Sequence, residues 1–351
     1  MVDKARGEQV SGPGQWVRQG AVGIVWAVVA LVGWWFYSPQ PEIAPQFKVN
    51  EIRPSGDASL QPLPELASLR LNSAKVALGE RLFSDVRFSV DNSVSCSSCH
   101  NLANAGVDNM PRSVGAHGRM GVINTPTVFN SAFNFTQFWD GRAQTLEEQV
   151  DGPITSQNEF VSNWGEVLMK LGADSGLEAE FNKTYPDGGL NAANVRNAIA
   201  EFQRSLLAPS RFDRFLRGDT NALTESEKNG YAYFLSYGCA ACHQGRNIGG
   251  NLFQKLGVAR NYYAGKTVSQ SDQGRYNVTH DINDMHVFKV PSLRNVARTA
   301  PYFHDANAQT LSEAITVMAR YQLGVELPEE DRDAIEAFLK SLTGEYRGKS
   351  L

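Results

Sequence analysis

The chain has 351 residues, 42% of them hydrophobic and 10% aromatic, and its formal net charge at pH 7 is −4. A mild negative net charge does not indicate a nucleic-acid partner. One compact domain typically takes about 100–200 residues, so the length predicts two domains.

An apolar segment near the amino terminus is the first feature along the chain. Residues 20–37 read GAVGIVWAVVALVGWWFY, without a charged side chain. A span that crosses a bilayer needs about 17–25 residues. Lys4, Arg6 and Arg18 precede it, which predicts a cytoplasmic segment 1–19 and one transmembrane helix 20–37. The remainder is then expected on the periplasmic side of the cytoplasmic membrane. The alternative is a cleaved signal peptide, although no clean cleavage site follows the span.

Helical periodicity dominates the rest of the chain. Residues 38–64 are rich in proline and polar residues and are predicted to be a tether. Apolar spacing and capping boxes predict helices at 71–83, 192–207, 224–237 and about 328–344, and one opened by Thr310. The segments 101–141 and 245–298 hold many Gly, Asn and Pro residues, and loops this long are usually functional.

Every cysteine of the chain lies in one of two Cys-x-x-Cys-His motifs, CSSCH at 96–100 and CAACH at 239–243. In this motif the two thiols add to the vinyl groups of a haem, and the His becomes the proximal iron ligand. A zinc site would require a second Cys or His pair nearby. We therefore predict two covalently bound haem c groups, attached at Cys96, Cys99 and His100 and at Cys239, Cys242 and His243.

The wide separation of the motifs predicts one domain for each haem. The N-terminal haem domain is expected at 65–210 and the C-terminal haem domain at 211–351. The predicted fold is therefore mostly α, with two cytochrome c-like haem domains and long loops, preceded by one transmembrane helix. By itself, the repeated motif supports only a dihaem cytochrome.

Four further segments add a family pattern. LGERLFSDVRFS precedes the first motif, and INTPTVFNSAFNFTQFWDGRAQTLEEQVDGPI follows it. VFKVPSLRNVARTAPYFHD and TLSEAITVMARYQL follow the second motif. From residue 71 to the carboxyl terminus, in this order, the chain resembles the bacterial dihaem cytochrome c peroxidases. The resemblance implies an enzyme that reduces hydrogen peroxide to water at the N-terminal haem, with electrons entering at the C-terminal haem.

The resemblance also implies a sixth iron ligand at each haem. Met318, in AITVMARYQL, matches the family's Met on the C-terminal haem, and Met285 is its competitor. A Met ligand raises the haem potential, which suits electron entry. His117, in SVGAHGRMG, matches a distal His that must leave the N-terminal iron before peroxide binds, although the spacing here is one residue longer. Such a ligand would act as a two-state switch.

Three catalytic residues are implied in the same way. Glu159, in ITSQNEF, and Gln149, in LEEQVDGP, match the distal Glu and Gln, and Trp139, in QFWDGR, matches the Trp between the haems. A carboxylate in an apolar pocket can take a proton from peroxide and return it, because desolvation draws its pKa towards neutrality. From the residues alone, Glu159 would be surface and Trp139 core. Phe138 matches a residue that lines the distal pocket.

A calcium ion and several partners complete the implied set. Asn124 matches the family's Asn ligand, and Thr299 and Pro301 match its carbonyl donors, which are oxygen ligands that suit Ca²⁺. The implied partners are hydrogen peroxide and a small periplasmic electron-donor protein, a cytochrome c or a cupredoxin, or else the quinol pool. The chain would attach to the membrane through its N-terminal helix, and a homodimer is implied by analogy alone.

Two other functions stay open at this stage. One is a membrane-anchored dihaem electron-transfer cytochrome c without peroxidase activity, against which the long segment 101–160 argues. The other is oxidation of a partner protein's side chain, as in the methylamine dehydrogenase maturation enzyme. That enzyme has Tyr at the position of Met318, so Met318 argues against this function.

Overall fold

The computed structural model describes residues 59–351. The predicted cytoplasmic segment 1–19, the predicted transmembrane helix 20–37 and most of the predicted tether 38–64 lie outside the described residues. Within residues 59–351, no helix is both long and apolar enough to cross a membrane. The membrane anchor therefore stays a prediction.

The described part of the chain is mostly helical, as predicted. Its α-helices are α1 Ser73–Phe83, α2 Cys96–Cys99, α3 Leu146–Gln149, α4 Asp151–Thr155, α5 Trp164–Gly172, α6 Ser175–Thr184, α7 Ala192–Ser205, α8 Arg211–Leu216, α9 Glu225–Ser236, α10 Tyr276–Thr279, α11 Leu311–Val317 and α12 Glu329–Lys340. A π-helix, Met318–Leu323, continues α11. The strands are β1 Phe253–Lys255, β2 Val287–Lys289, β3 Glu345–Tyr346 and β4 Lys349–Ser350. β1 pairs antiparallel with β2, and β3 with β4.

The first core lies around the crossing of α1 and α7. α1 begins after Asn72, whose side chain accepts hydrogen bonds from the backbone N–H groups of Ala74 and Lys75 at 3.0 and 3.2 Å. Gly79 lies against α7 so closely that a methyl group on it would overlap the carbonyl oxygen of Ala198. The buried side chains packed here include Leu78, Leu82, Phe83, Val195, Ile199 and Phe202.

The second core repeats this arrangement with α9 and α12. The predicted capping box is present, because Thr224 and Glu227 each bind the other's backbone N–H. Gly230 lies so close to α12 that a methyl group on it would overlap the carbonyl oxygen of Ala334. Aromatic side chains fill this core, including Phe212, Phe215, Tyr231, Phe234 and Phe338. In each core, a glycine on the helix before a haem motif permits a close helix crossing.

The two ends of the described part of the chain connect the two cores, and both cores belong to one compact unit. Leu60, which precedes the first core in sequence, packs into the second core, whereas Leu351 packs into the first. A boundary between two haem domains at residues 210 and 211 stays a prediction.

A fully buried ion pair joins Asp213 of α8 to Arg294, 81 positions further along the chain. The Arg294 guanidinium donates to both carboxylate oxygens of Asp213, at 2.8 and 3.0 Å, and both side chains have no solvent exposure. Asp213 also accepts the backbone N–H groups of Leu63 and Ser210, each at 2.7 Å. Burial by itself would raise the pKa of Asp213, but Arg294 and these N–H donors lower it below its usual value.

Candidate haem sites

The first haem motif forms a short helix that ends at an imidazole. Cys96 is the first residue of α2 and Cys99 is the last, and the His100 N–H donates to the Cys96 carbonyl at 2.9 Å. Nδ1 of His100 lies 3.2 Å from the Gly106 carbonyl oxygen. Burial lowers the pKa of His100. A neutral imidazole whose Nδ1–H binds a carbonyl keeps Nε2 free for a metal, which is what a proximal haem ligand requires.

The second motif holds a more strongly desolvated histidine. Burial lowers the pKa of His243 to about 4, partly opposed by the carbonyls of Ile248 and Pro291. Its Nδ1 is buried and makes no hydrogen bond of normal geometry with the described residues. Cys239 and Cys242 lie beside it and are half-buried. The imidazole is therefore neutral at pH 7 and available to a metal ion.

A mainly apolar cavity of about 260 Å³ adjoins the second motif. Its walls include Cys239, Cys242, His243, Trp139 and Met318, whereas Met285 does not line it. Met318 opens the π-helix, a distortion that is frequent at functional sites. Two thiols, a neutral imidazole and a thioether around one apolar cavity fit a haem c with a Met ligand. On this geometry Met318 is the better ligand candidate.

The carboxyl group of Glu159 lies near the first motif. The Cys96 and Cys99 thiols have pKa values raised mainly by burial, and the Glu159 charge adds to the increase at both. Part of Glu159 is exposed, yet surrounding protein desolvates its carboxyl group and raises its pKa, against the effects of Ser156 and Arg142. A raised pKa favours proton exchange by this carboxyl group, compared with an ordinary surface Glu.

Gln149 is the last residue of α3, which Thr145 caps by accepting the Glu148 N–H at 3.1 Å. Its side chain is half-buried and makes no hydrogen bond with any other described residue, so its amide is free to bind a ligand. No hydrogen bond in the described part of the chain joins Gln149 to Glu159.

His117 lies at the surface in this structure. The residue has a left-handed backbone, with φ of 56°, and its side chain is 53% exposed. Its Nδ1 lies 3.3 Å from a carboxylate oxygen of Asp91, which also accepts its N–H at 2.8 Å. The loop is tied to the Glu159 segment, because the Ala116 N–H donates to the Glu159 carbonyl at 2.7 Å. His117 is thus connected to the candidate acid–base residue through backbone, while its iron ligation stays a prediction.

Both the indole and the backbone carbonyl of Trp139 form hydrogen bonds. Its indole N–H donates to the Asn124 carbonyl at 3.0 Å, and its own carbonyl accepts the Lys289 N–H at 2.8 Å. Asn124 is buried, and its side-chain amide donates to the Pro301 carbonyl at 2.7 Å. Thr299 lines the same cavity, but its hydroxyl donates to the Val296 carbonyl at 3.2 Å, and no hydrogen bond among the described residues joins it to Asn124. The structure thus brings together two of the three residues implied for calcium.

A buried histidine near Trp139 was missed by sequence reasoning. Nε2 of His304 lies 2.8 Å from a carboxylate oxygen of Asp272, and its ring stacks on Phe288 with centroids 4.4 Å apart. The same ring lies edge-on to Trp139, with centroids 6.2 Å apart. Asp272, His304 and Asp305 are close enough to hold a metal ion. Their polar atoms are already hydrogen-bonded, Asp305 to the Tyr262 hydroxyl at 2.8 Å, so a structural network is the simpler interpretation. Thirty-two positions separate His304 from Asp272, and such a pair leaves no local sequence pattern.

Two haem-attachment motifs on two apolar cores define a c-type protein with two haem sites. A family model described as di-haem cytochrome c peroxidase matches residues 73–221. Cytochrome c peroxidase Ccp of Escherichia coli is 47% identical over 289 residues, which cover 82% of this chain and 61% of that protein. Cytochrome c551 peroxidase of Nitrosomonas europaea is 41% identical over 291 residues, covering 82% of this chain and 86% of that protein. The chain belongs to the di-haem cytochrome c peroxidase family.

A solved structure supports the same fold. The crystal structure of a MauG-like protein associated with microbial copper homeostasis matches with a TM-score of 0.71 and 27% identity, covering 82% of this chain and 93% of that chain. The predicted family is therefore confirmed, and with it the class of oxidoreductases that act on peroxide. Two haem c groups follow from membership of the family. The match spans less than two thirds of the Escherichia coli relative.

Proposed function

We propose that this protein reduces hydrogen peroxide to two waters at the haem of His100, with electrons that enter at the haem of His243. A bound haem supplies an iron that binds peroxide or exchanges electrons. The observation that carries the proposal is the difference between the two motifs. Met318 lines the cavity beside His243, whereas the carboxyl group of Glu159, whose pKa is raised, lies near Cys96 and Cys99.

Glu159 is the proposed proton carrier. Its carboxylate would accept a proton from one oxygen of the peroxide and return it to the other, so that water leaves instead of hydroxide. Two electrons from the donor and two protons from solution then complete the reduction of each peroxide to two waters. The raised pKa of Glu159 supports this role, because a carboxyl group poised nearer neutrality can both accept and donate. Gln149, with its free amide, is proposed to orient the peroxide.

Trp139 is the proposed intermediary for electrons. It lines the His243 cavity, and hydrogen bonds to Asn124 and Lys289 fix both its indole and its backbone. A rigid π-system at this position shortens the distance that each electron must cross. A Met ligand would raise the potential of the haem at His243, which suits that site to accept electrons from the donor. Reduction of peroxide at the His100 site would then drive the onward transfer.

The setting of the enzyme is proposed on the same basis. The donor is a small cytochrome c or cupredoxin, or else the quinol pool, and residues 20–37 anchor the haem-bearing part on the periplasmic side of the cytoplasmic membrane. A calcium ion bound by Asn124, Pro301 and Thr299 is supported by the contact between Asn124 and Pro301. His117 is proposed as a removable ligand of the first haem, and the protein as a homodimer.

The test is turnover by the full-length holoprotein. The protein is reduced halfway, hydrogen peroxide is added, and oxidation of a reduced cytochrome c is followed optically. We expect oxidation of two equivalents of donor for each peroxide. Two intact haem spectra without peroxide-dependent oxidation would contradict the proposal and favour the electron-transfer cytochrome.

A further inference from the structure

Lys289 is a buried cation without a close anionic partner in the described structure. The residue is 8% exposed and ends β2, opposite Phe253. Its backbone is fully used, because its N–H donates to the Trp139 carbonyl at 2.8 Å. Its ammonium makes no hydrogen bond or ion pair with any residue from 59 to 351. A buried lysine is normally paired, so this one requires an explanation.

The nearest protein charge does not provide one. Asp140 favours the charged form of Lys289, but it lies beyond ion-pair distance and already binds Arg142 at 2.9 Å. Burial lowers the pKa of Lys289 to about 8, so the ammonium remains mostly charged at pH 7. An isolated charge in an apolar setting is costly unless an anion accompanies it. The missing anion is therefore expected from a ligand.

The position of Lys289 identifies that ligand. Lys289 lines the same cavity as Cys239, Cys242, His243 and Met318. The group that these residues fit is a haem, which carries two propionate side chains on an otherwise apolar ring. Among the described residues, no other side chain in this cavity wall is a buried cation without an ion-pair partner.

We propose that Lys289 is the counter-ion of a propionate on the haem bound at His243, and that it raises the reduction potential of that haem. A cation beside the propionate offsets its negative charge near the iron. Without the cation, that charge would favour the ferric form, which is one positive charge richer than the ferrous form. Because the Lys289 N–H also holds the Trp139 carbonyl, one residue positions both the haem edge and the tryptophan. The inference rests on haem binding at His243 and does not depend on peroxidase activity.

The test is a spectroelectrochemical titration of the full-length holoprotein without peroxide. Lys289→Met and Lys289→Gln remove the charge, and Lys289→Arg keeps it. Lys340→Met is the matched control, because Lys340 lies in the same part of the chain, is 61% exposed and pairs with Glu336 at 2.8 Å. We expect both neutral variants to increase the ferric-to-ferrous ratio of the high-potential haem at least tenfold at a fixed potential, which equals a downward shift of about 59 mV for one electron.

The remaining variants and the haem at His100 show whether the change in potential is specific to the haem at His243. Lys289→Arg should restore most of the potential, Lys340→Met should leave it unchanged, and the haem at His100 should shift less than the haem at His243 in every variant. If Lys289→Met does not incorporate haem, the less disruptive Lys289→Gln decides. An unchanged potential in the neutral variants, an equal shift in Lys340→Met, or a Lys289→Arg value as low as that of Lys289→Met would overturn the inference. Absence of peroxide-dependent turnover in the unsubstituted holoprotein would contradict only the proposed function, because the redox titration uses no peroxide.

Discussion

Replacement of Arg294 by Met should destabilise the protein strongly and in a pH-dependent way. Asp213 would then remain buried with two backbone N–H donors but without its bidentate cation. Breaking a buried ion pair by removing one partner typically costs about 3–5 kcal/mol. Neither side chain has any solvent exposure, so screening by water does not reduce this value. We therefore expect a loss of about 3–5 kcal/mol in the free energy of unfolding at pH 7.

The pH dependence follows from the pKa of Asp213. In the native protein this pKa is lowered, so the stabilisation is present above the ordinary Asp pKa of about 3.9 and is lost as the pH falls through the folded value. In the variant, burial without the cation raises the pKa of Asp213, and a protonated Asp213 is less costly to bury. The difference in stability between the two proteins should therefore be larger at pH 7 than at pH 4.

Guanidinium denaturation of the holoprotein, followed by circular dichroism at both pH values, measures these differences. Arg320→Met is the control, because Arg320 forms an exposed ion pair with Glu326 and should unfold with an unchanged midpoint. A loss in Arg294→Met that is no larger than in the control, or one that is larger at pH 4 than at pH 7, would refute the assignment of Arg294 as the compensating charge.

Three further predictions concern the proposed site. Glu159→Gln should lower peroxide turnover by about 10²–10⁴-fold while leaving both haem spectra nearly intact. Glu148→Gln, at an exposed carboxyl group, is its control. An active Glu159→Gln would exclude this carboxyl group as the proton carrier. Met318→His should lower the potential of the second haem in a redox titration, and an unchanged potential would point to Met285. Gly115→Ala should also slow turnover, because the added methyl group would overlap the Asn158 carbonyl and lie 2.6 Å from that of Glu159; displacing a catalytic group by about 1 Å can cost about 10²-fold. Wild-type rates in Gly115→Ala would show that the loop tolerates the shift.

The features predicted best are those that neighbouring residues create. Thr224 with Glu227, and Thr310 with Glu313, form capping boxes across three positions, and the structure begins α9 and α11 where these boxes predict them. The haem motifs are equally local, since their chemistry depends on five consecutive residues. Helices α5 and α6 had similar local signals, in Asn163 and Asp174, whose side chains accept N–H groups three residues on, but they were not predicted.

By itself, the sequence determined that the chain is mostly helical, that it has two haem-attachment motifs and, through its resemblance, the family to which it belongs. Only the tertiary structure decided which side chains share an environment. Asp213 meets Arg294 across 81 positions, and the buried Lys289 reaches the cavity of His243 without any local signal. The raised pKa of Glu159 likewise comes from protein packed around its carboxyl group. Burial and charge compensation depend on residues distant in sequence, whereas caps and covalent motifs depend on neighbours, and this is why the two haem sites become distinguishable in detail only in the folded chain.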